Sequence, residues 1–127
     1  MKNVFVEDYS SRHSLDAMIV LTKVYKDKAI VFGGSYLPEI IGKWDLIFVN
    51  VHKIVDENKP FDLEEVATMC GKEDCKKIIF SSNKVLLDEM RNRYGSKDNF
   101  FFLNNSVLMY AFGDDKTAID QLLSFLL

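Results

Sequence analysis

The feature that most constrains this chain is the alternation of short apolar runs with segments whose apolar residues recur at helical spacing. Five runs are typical of buried strands, and they cover residues 4–6, 29–32, 45–51, 78–80 and 100–103. The third run is apolar through its middle, as expected of a strand covered on both faces. Strands that alternate with helices at this spacing predict a parallel sheet with helices on both sides.

The segments between the runs carry the signals of helices. In the first segment, Leu15, Met18, Ile19 and Thr22 recur at helical spacing, and Tyr25 continues the same face. Residue types suited to helix caps flank several of these segments. The predicted helices cover residues 10–25, 35–42, 62–71, 86–94 and 114–126.

Residues 106–113 do not fit this alternation. The stretch is apolar from Val107 to Phe112, and it follows the fifth predicted strand. Three interpretations stay open at this point: a sixth strand, a hairpin return, or an extended loop packed on the sheet.

Right-handed crossovers leave few topologies for five alternating strands and helices. The simplest is a three-layer, doubly wound α/β sheet of five mainly parallel strands in the order 2-1-3-4-5. The length of 127 residues suits one domain, and with no linker or repeat we expect a single domain over 1–127. The content of 48% hydrophobic and 28% charged residues excludes extended disorder.

Charge and hydropathy exclude several classes of function. The net charge of −3 does not favour direct binding of nucleic acid. No apolar run approaches the ~20 residues of a membrane helix, and the acids Glu7 and Asp8 are incompatible with a signal peptide. Cys70 and Cys75 lack the spacing of a zinc or redox pair, so we expect reduced thiols, no metal site and a cytoplasmic protein.

Polar residues follow four of the predicted strands. In open parallel sheets, the carboxyl ends of the strands meet at one edge, next to the switch in strand order, and functional sites lie there. We therefore expect a shared crevice formed by Glu7, Asp8, Asn50, Ser81, Ser82, Asn104 and Asn105.

This pattern resembles the receiver domain of bacterial response regulators. Residues 4–8 resemble its first acidic element, 43–50 the segment that ends at the phosphate acceptor, 78–82 the hydroxyl strand, and 95–105 the stretch leading to a lysine. The intervals are 42 residues from Asp8 to Asn50, 31 or 32 to the serines, and 23 or 24 onward to Asn105, close to the family's spacing. The resemblance covers the whole chain through short motifs.

The chain departs from the receiver pattern where the phosphoryl group would be handled. Asn50 stands in place of the acceptor aspartate, and an amide is a far poorer nucleophile than a carboxylate. Neither Asn104 nor Asn105 supplies the ammonium group of the receiver lysine. Two prolines of the pattern are replaced near Ile54 and Ser106. The resemblance therefore implies a degenerate pocket, weakened Mg²⁺ binding, no cofactor and no enzymatic activity.

The resemblance implies a phosphorylation-independent pseudo-receiver that acts as a protein-interaction or dimerisation module in signalling. Its partner is expected to be another protein or a second copy of the chain. The last predicted helix is apolar almost all round, so that its end packs under a neighbouring loop or forms an interface. The predicted interface residues are Ile119, Leu122, Phe125 and Leu126.

Two other functions stay open. The chain could be a flavodoxin-like protein that binds a small ligand, or an enzyme, with Glu7 and Asp8 as acid/base groups and His52 beside them. It could also be the regulatory half of a longer DNA-binding protein, although none of its segments resembles a DNA-reading helix. The pairs Lys76/Lys77 and Arg91/Arg93 are interpreted as solvated cations.

Overall fold

A five-stranded parallel sheet organises the chain. The structure is a computed structural model that describes residues 1–7, 12–34, 44–51 and 74–127. All neighbouring strands are parallel, in the order β2-β1-β3-β4-β5, which confirms the predicted α/β topology of flavodoxin-like folds. The strands are β1 (Lys2–Glu7), β2 (Ala29–Gly34), β3 (Leu46–Asn50), β4 (Lys76–Ser81) and β5 (Phe100–Asn104).

Four helices occur in the described part of the chain. They are α1 (Arg12–Tyr25), α2 (Lys84–Tyr94), α3 (Asn105–Phe112) and α4 (Lys116–Ser124). The helices predicted over 35–42 and 62–71 lie outside the described residues. None of the helices within the described ranges combines the length and the hydropathy that a membrane span requires.

The core has two halves, one on each face of the sheet. On one face, α1, α3 and α4 pack against side chains that include Val4, Val6 and Phe48. On the other face, α2 packs with Trp44 against Phe5 and Ile79. All five residues of β3 are buried, which agrees with the prediction of a central strand covered on both sides.

Residues 105–112 form a helix, so all three interpretations of the 106–113 stretch were wrong. The Asn104 side chain caps this helix, because its oxygen accepts a hydrogen bond from the Ser106 N–H at 2.9 Å. Leu108 and Ala111, three residues apart, are buried on one side of α3. The cap and this packing outweigh the β-propensity of the segment.

The buried face of α1 also differs from the apolar stripe noted in its sequence. Ala17, Val20, Leu21 and Val24 are buried with Tyr25, and they form the face that contacts the sheet. Within the predicted stripe, Tyr25 is buried and Met18 packs against the core, but Leu15 and Ile19 are exposed, at 59% and 52%. Helix α1 therefore carries two apolar stripes: the one with Val20 and Val24 is buried, and the predicted one is buried only in part.

Candidate functional site

The strand register brings the predicted site residues to the carboxyl edge of the sheet. Glu7 on β1 lies beside Val49 on β3, which directly precedes Asn50. Asn50 lies beside Phe80 on β4, and the next residue, Ser81, lies beside Asn104 on β5. Because adjacent strands are about 4.8 Å apart, these four residues share one edge that extends over four strands.

Three of these polar side chains are buried. Glu7 is 2% exposed, Asn50 is 4% exposed and Ser81 is 1% exposed, whereas Asn104 is exposed. Buried polar groups of this kind need partners to offset the loss of hydration. Three of them at one edge of an otherwise apolar sheet therefore mark this edge as the candidate site.

The pleat divides the site residues between the two faces of the sheet. Glu7 follows the alternation of Phe5, so it lies on the α2 face, and Ser81 lies on that face with Ile79. Asn50 follows the alternation of Phe48 and lies on the opposite face. The predicted site residues therefore lie along the edge of the sheet, with Asn50 on one face and Glu7 and Ser81 on the other.

Two predicted site residues take part in the turns that start helices. The Asn83 N–H donates to Ser81 Oγ at 3.0 Å, and the Asn83 side chain in turn accepts from the Leu86 N–H at 3.1 Å. Asn104 caps α3 in the same way, because its side-chain oxygen accepts from the Ser106 N–H at 2.9 Å. The residue after it, Asn105, is the first residue of α3 rather than part of the strand end.

The other predicted residues are exposed or lie outside the described residues. Ser82 is exposed in the turn after β4. Asp8 and His52 lie outside the described residues. Among the residues that the structure describes, no three His, Cys, Asp or Glu side chains form a group that could hold a metal ion.

Strand β4, which ends at Ser81, also contains a buried lysine, Lys77. The interpretation of Lys77 as a solvated cation was therefore wrong. Lys77 is 7% exposed, and its Nζ lies 4.9 Å from the centroid of the Phe100 ring on β5. It precedes Ser81 by four residues, which places it about 13 Å away along β4. Lys77 therefore lies away from the carboxyl edge and is not part of the candidate site.

Two cavities among the described residues lie away from the carboxyl edge. One, of about 240 Å³, lies between the end of α1 and the α3–α4 turn, and Lys23, Asp27 and Asp114 contribute to its wall. The other, of about 160 Å³, lies beside Asp45 and Lys76 near the start of β3 and β4. Both open at the amino edge of the sheet, opposite the candidate site.

The predicted interface residues of the last helix are more buried than residues of a free surface. Leu122 is fully buried, so within this fold it serves the core rather than an intermolecular contact. Ile119, Phe125 and Leu126 are partly buried and pack against the same core. An intermolecular contact through Ile119, Phe125 and Leu126 stays a prediction.

No protein-family model, no curated protein and no solved structure matches this chain. Its function must therefore be inferred from the residues at the carboxyl edge and from the exposed surface.

Proposed function

We propose that this chain is a pseudo-receiver, a signalling module that works through protein contacts and does not accept a phosphoryl group. The observation that carries the proposal is the position of Asn50. It is buried at the end of the central strand β3, directly after Val49, which lies beside Glu7. An amide at the acceptor position cannot form an acyl phosphate as a carboxylate does.

The end of β5 supports the same proposal. A receiver holds the phosphoryl group with an ammonium group at this point, and here Asn104 is engaged in capping α3. The acceptor carboxylate and its cationic partner are therefore both replaced by neutral amides. Loss of both together avoids leaving a buried charge without its counter-charge.

The test is phosphoryl transfer from acetyl phosphate with Mg²⁺, followed by intact-mass spectrometry. We expect the wild-type chain to gain no labile phosphoryl group, while a receiver domain with an intact acceptor gains one in a parallel reaction. Asn50→Asp is the matched variant, because it exchanges one amide for a carboxylate of the same size. Labile phosphate on the wild-type chain would refute the proposal.

One observation favours a second candidate, a flavodoxin-like ligand-binding protein. Glu7, Asn50 and Ser81 are buried polar residues that lie at the carboxyl edge of the sheet. Small ligands of open α/β sheets bind at this edge, next to the switch in strand order. A thermal-shift screen with nucleotides, flavins and divalent ions tests this candidate, and a saturable rise in Tm that Glu7→Gln abolishes would support it.

A further inference from the structure

An exposed apolar surface extends across α1 and α3. We call it the α1–α3 face and define it by Leu15 and Ile19 on α1 and by Met109, Tyr110 and Phe112 on α3. These side chains are between 51% and 63% exposed. Single exposed apolar residues are ordinary, but a group of large ones on two neighbouring helices marks an interaction site.

Helix α3 is apolar on both sides. Its sequence, NSVLMYAF, has no charged residue. Leu108 and Ala111 are buried and Val107 is partly buried against the core, whereas Met109, Tyr110 and Phe112 are 51–63% exposed. A helix that is apolar on all sides is normally buried on all sides. Helix α3 therefore has an apolar face that the core of this fold does not cover.

The two helices lie side by side, so their exposed residues belong to one surface. Helices α1 and α3 pack against each other. At one end, Lys23 Nζ donates to the Phe112 carbonyl at 3.0 Å, lies 5.2 Å from the centroid of the Phe112 ring and pairs with Asp114 at 3.0 Å. Both helices start at the carboxyl edge, so they run in the same direction and their exposed ridges are aligned.

The size and composition of the face suit a protein interface. Half-exposed side chains of these types leave roughly 100–150 Å² each uncovered, so the five present about 600 Å². Two such faces together would bury about 1,200 Å², which reaches the range of specific complexes. Aromatic residues and methionine are enriched at interface centres and charged residues are depleted there, as in α3.

We propose that the α1–α3 face is the surface through which two copies of this chain pair about a two-fold axis. The area is sufficient when the same face is used twice, and the net charge of −3 opposes association only weakly. The biological meaning of this pair rests on the proposed function as an interaction module, but the contact itself does not depend on the state of the pocket.

Charges at the ends of the face are compatible with such a pair. Asp16 and Lys23 lie seven residues apart on the same flank of α1, with Ile19 near the midpoint between them. A two-fold axis near Ile19 would exchange the ends of the helix, so that Asp16 faces the partner's Lys23, which also pairs with Asp114 of its own chain. The face is therefore complementary to itself in charge as well as in hydropathy.

The test measures the molar mass of the full chain by light scattering or sedimentation, from about 1 µM to about 300 µM. We expect the wild-type chain to pass from monomer to dimer over this range. Met109→Glu places a carboxylate at the centre of both copies of the face, so we expect it to raise the dimer Kd about a hundredfold or more. Val85→Glu is the matched control, because Val85 is a 76% exposed apolar residue on α2, outside the face.

Far-ultraviolet circular dichroism and Tm verify that both variants fold. A wild-type chain that stays monomeric throughout would overturn the proposal, and so would a Met109→Glu variant that dimerises as well as Val85→Glu. Amide hydrogen exchange gives an independent measure: it should slow in α1 and α3 as concentration rises, and slowing confined to other elements would contradict the assignment.

The outcomes also separate this inference from the proposed function. Dimerisation through this face together with labile phosphorylation would sustain the inference and refute the pseudo-receiver. A strictly monomeric chain that takes no phosphate would refute this inference and sustain the pseudo-receiver.

Discussion

Tyr25 provides a stringent test of how the helices are held on the sheet. It is the last residue of α1 and is fully buried, and its hydroxyl donates to the Leu122 carbonyl of α4 at 2.9 Å. This hydrogen bond joins residues that are 97 positions apart in the chain. Tyr25→Phe removes the hydroxyl and keeps the ring, so it isolates the contribution of the hydrogen bond.

The loss of stability in Tyr25→Phe depends on which hydrogen bonds the Leu122 carbonyl still accepts. A buried carbonyl left without any donor costs about 1–3 kcal/mol, but Leu122 still accepts from the Phe125 N–H at 3.3 Å. We therefore expect Tyr25→Phe to lower the free energy of unfolding by about 1 kcal/mol near pH 8. In a chain of this length, that corresponds to a fall in Tm of about 3–6 °C.

The same tyrosine predicts how this loss changes with pH. Burial raises the pKa of Tyr25 above its ordinary value. The neutral phenol therefore stabilises the fold fully below the unfolded pKa of about 10, and this stability is lost as the pH rises from there towards the folded pKa. The wild-type chain loses about 1.4 kcal/mol per pH unit in that window relative to Tyr25→Phe, so the two should become equally stable between about pH 10 and pH 11.

Urea unfolding followed by tryptophan fluorescence measures both effects. Trp44 is the one tryptophan of the chain and is 4% exposed, so its emission reports the loss of the core. Tyr110→Phe is the control for removal of a phenol hydroxyl, because Tyr110 is 63% exposed, and we expect no change in unfolding free energy near pH 8. A constant difference between wild type and Tyr25→Phe from about pH 8 to about pH 11 would refute the reasoning.

Two further predictions concern the caps at the carboxyl edge. Asn104→Ala removes the side-chain acceptor for the Ser106 N–H and should lower the unfolding free energy by about 1 kcal/mol, with Asn105→Ala as a control that leaves this acceptor in place. Asn83→Ala removes the acceptor for the Leu86 N–H and should cost about as much. Thermal melts check both, and an unchanged Tm for either cap variant would contradict the role assigned to it.

Much of the fold could be predicted from the chain alone because its strands are strongly apolar and regularly spaced. The run containing Ile47 and Phe48 is apolar, which predicts a strand covered on both faces, and all five residues of β3 are buried. The handedness of the crossovers then leaves few strand orders, of which 2-1-3-4-5 is the simplest. The edge on which Glu7, Asn50 and Ser81 meet is a consequence of that order.

Packing between distant segments could not be predicted in the same way. Both apolar stripes of α1 satisfy helical periodicity, and only the neighbouring sheet selects the one with Val20 and Val24 for burial. Lys77 is hidden because the register of β4 and β5 places Phe100 beside it, which no local pattern around Lys77 reveals. Residues 105–112 are helical because a cap and two buried side chains favour that state over a strand of similar hydropathy.

The amino-acid sequence by itself determined the parallel α/β topology and the polar character of the carboxyl edge, because strand periodicity and crossover handedness are properties of the local chain. Tertiary structure decided how that edge is used: Ser81 and Asn104 serve helix starts, and Asn50 lies on the opposite face from Glu7. It also decided which apolar residues stay exposed, since burial depends on neighbours that are distant in sequence.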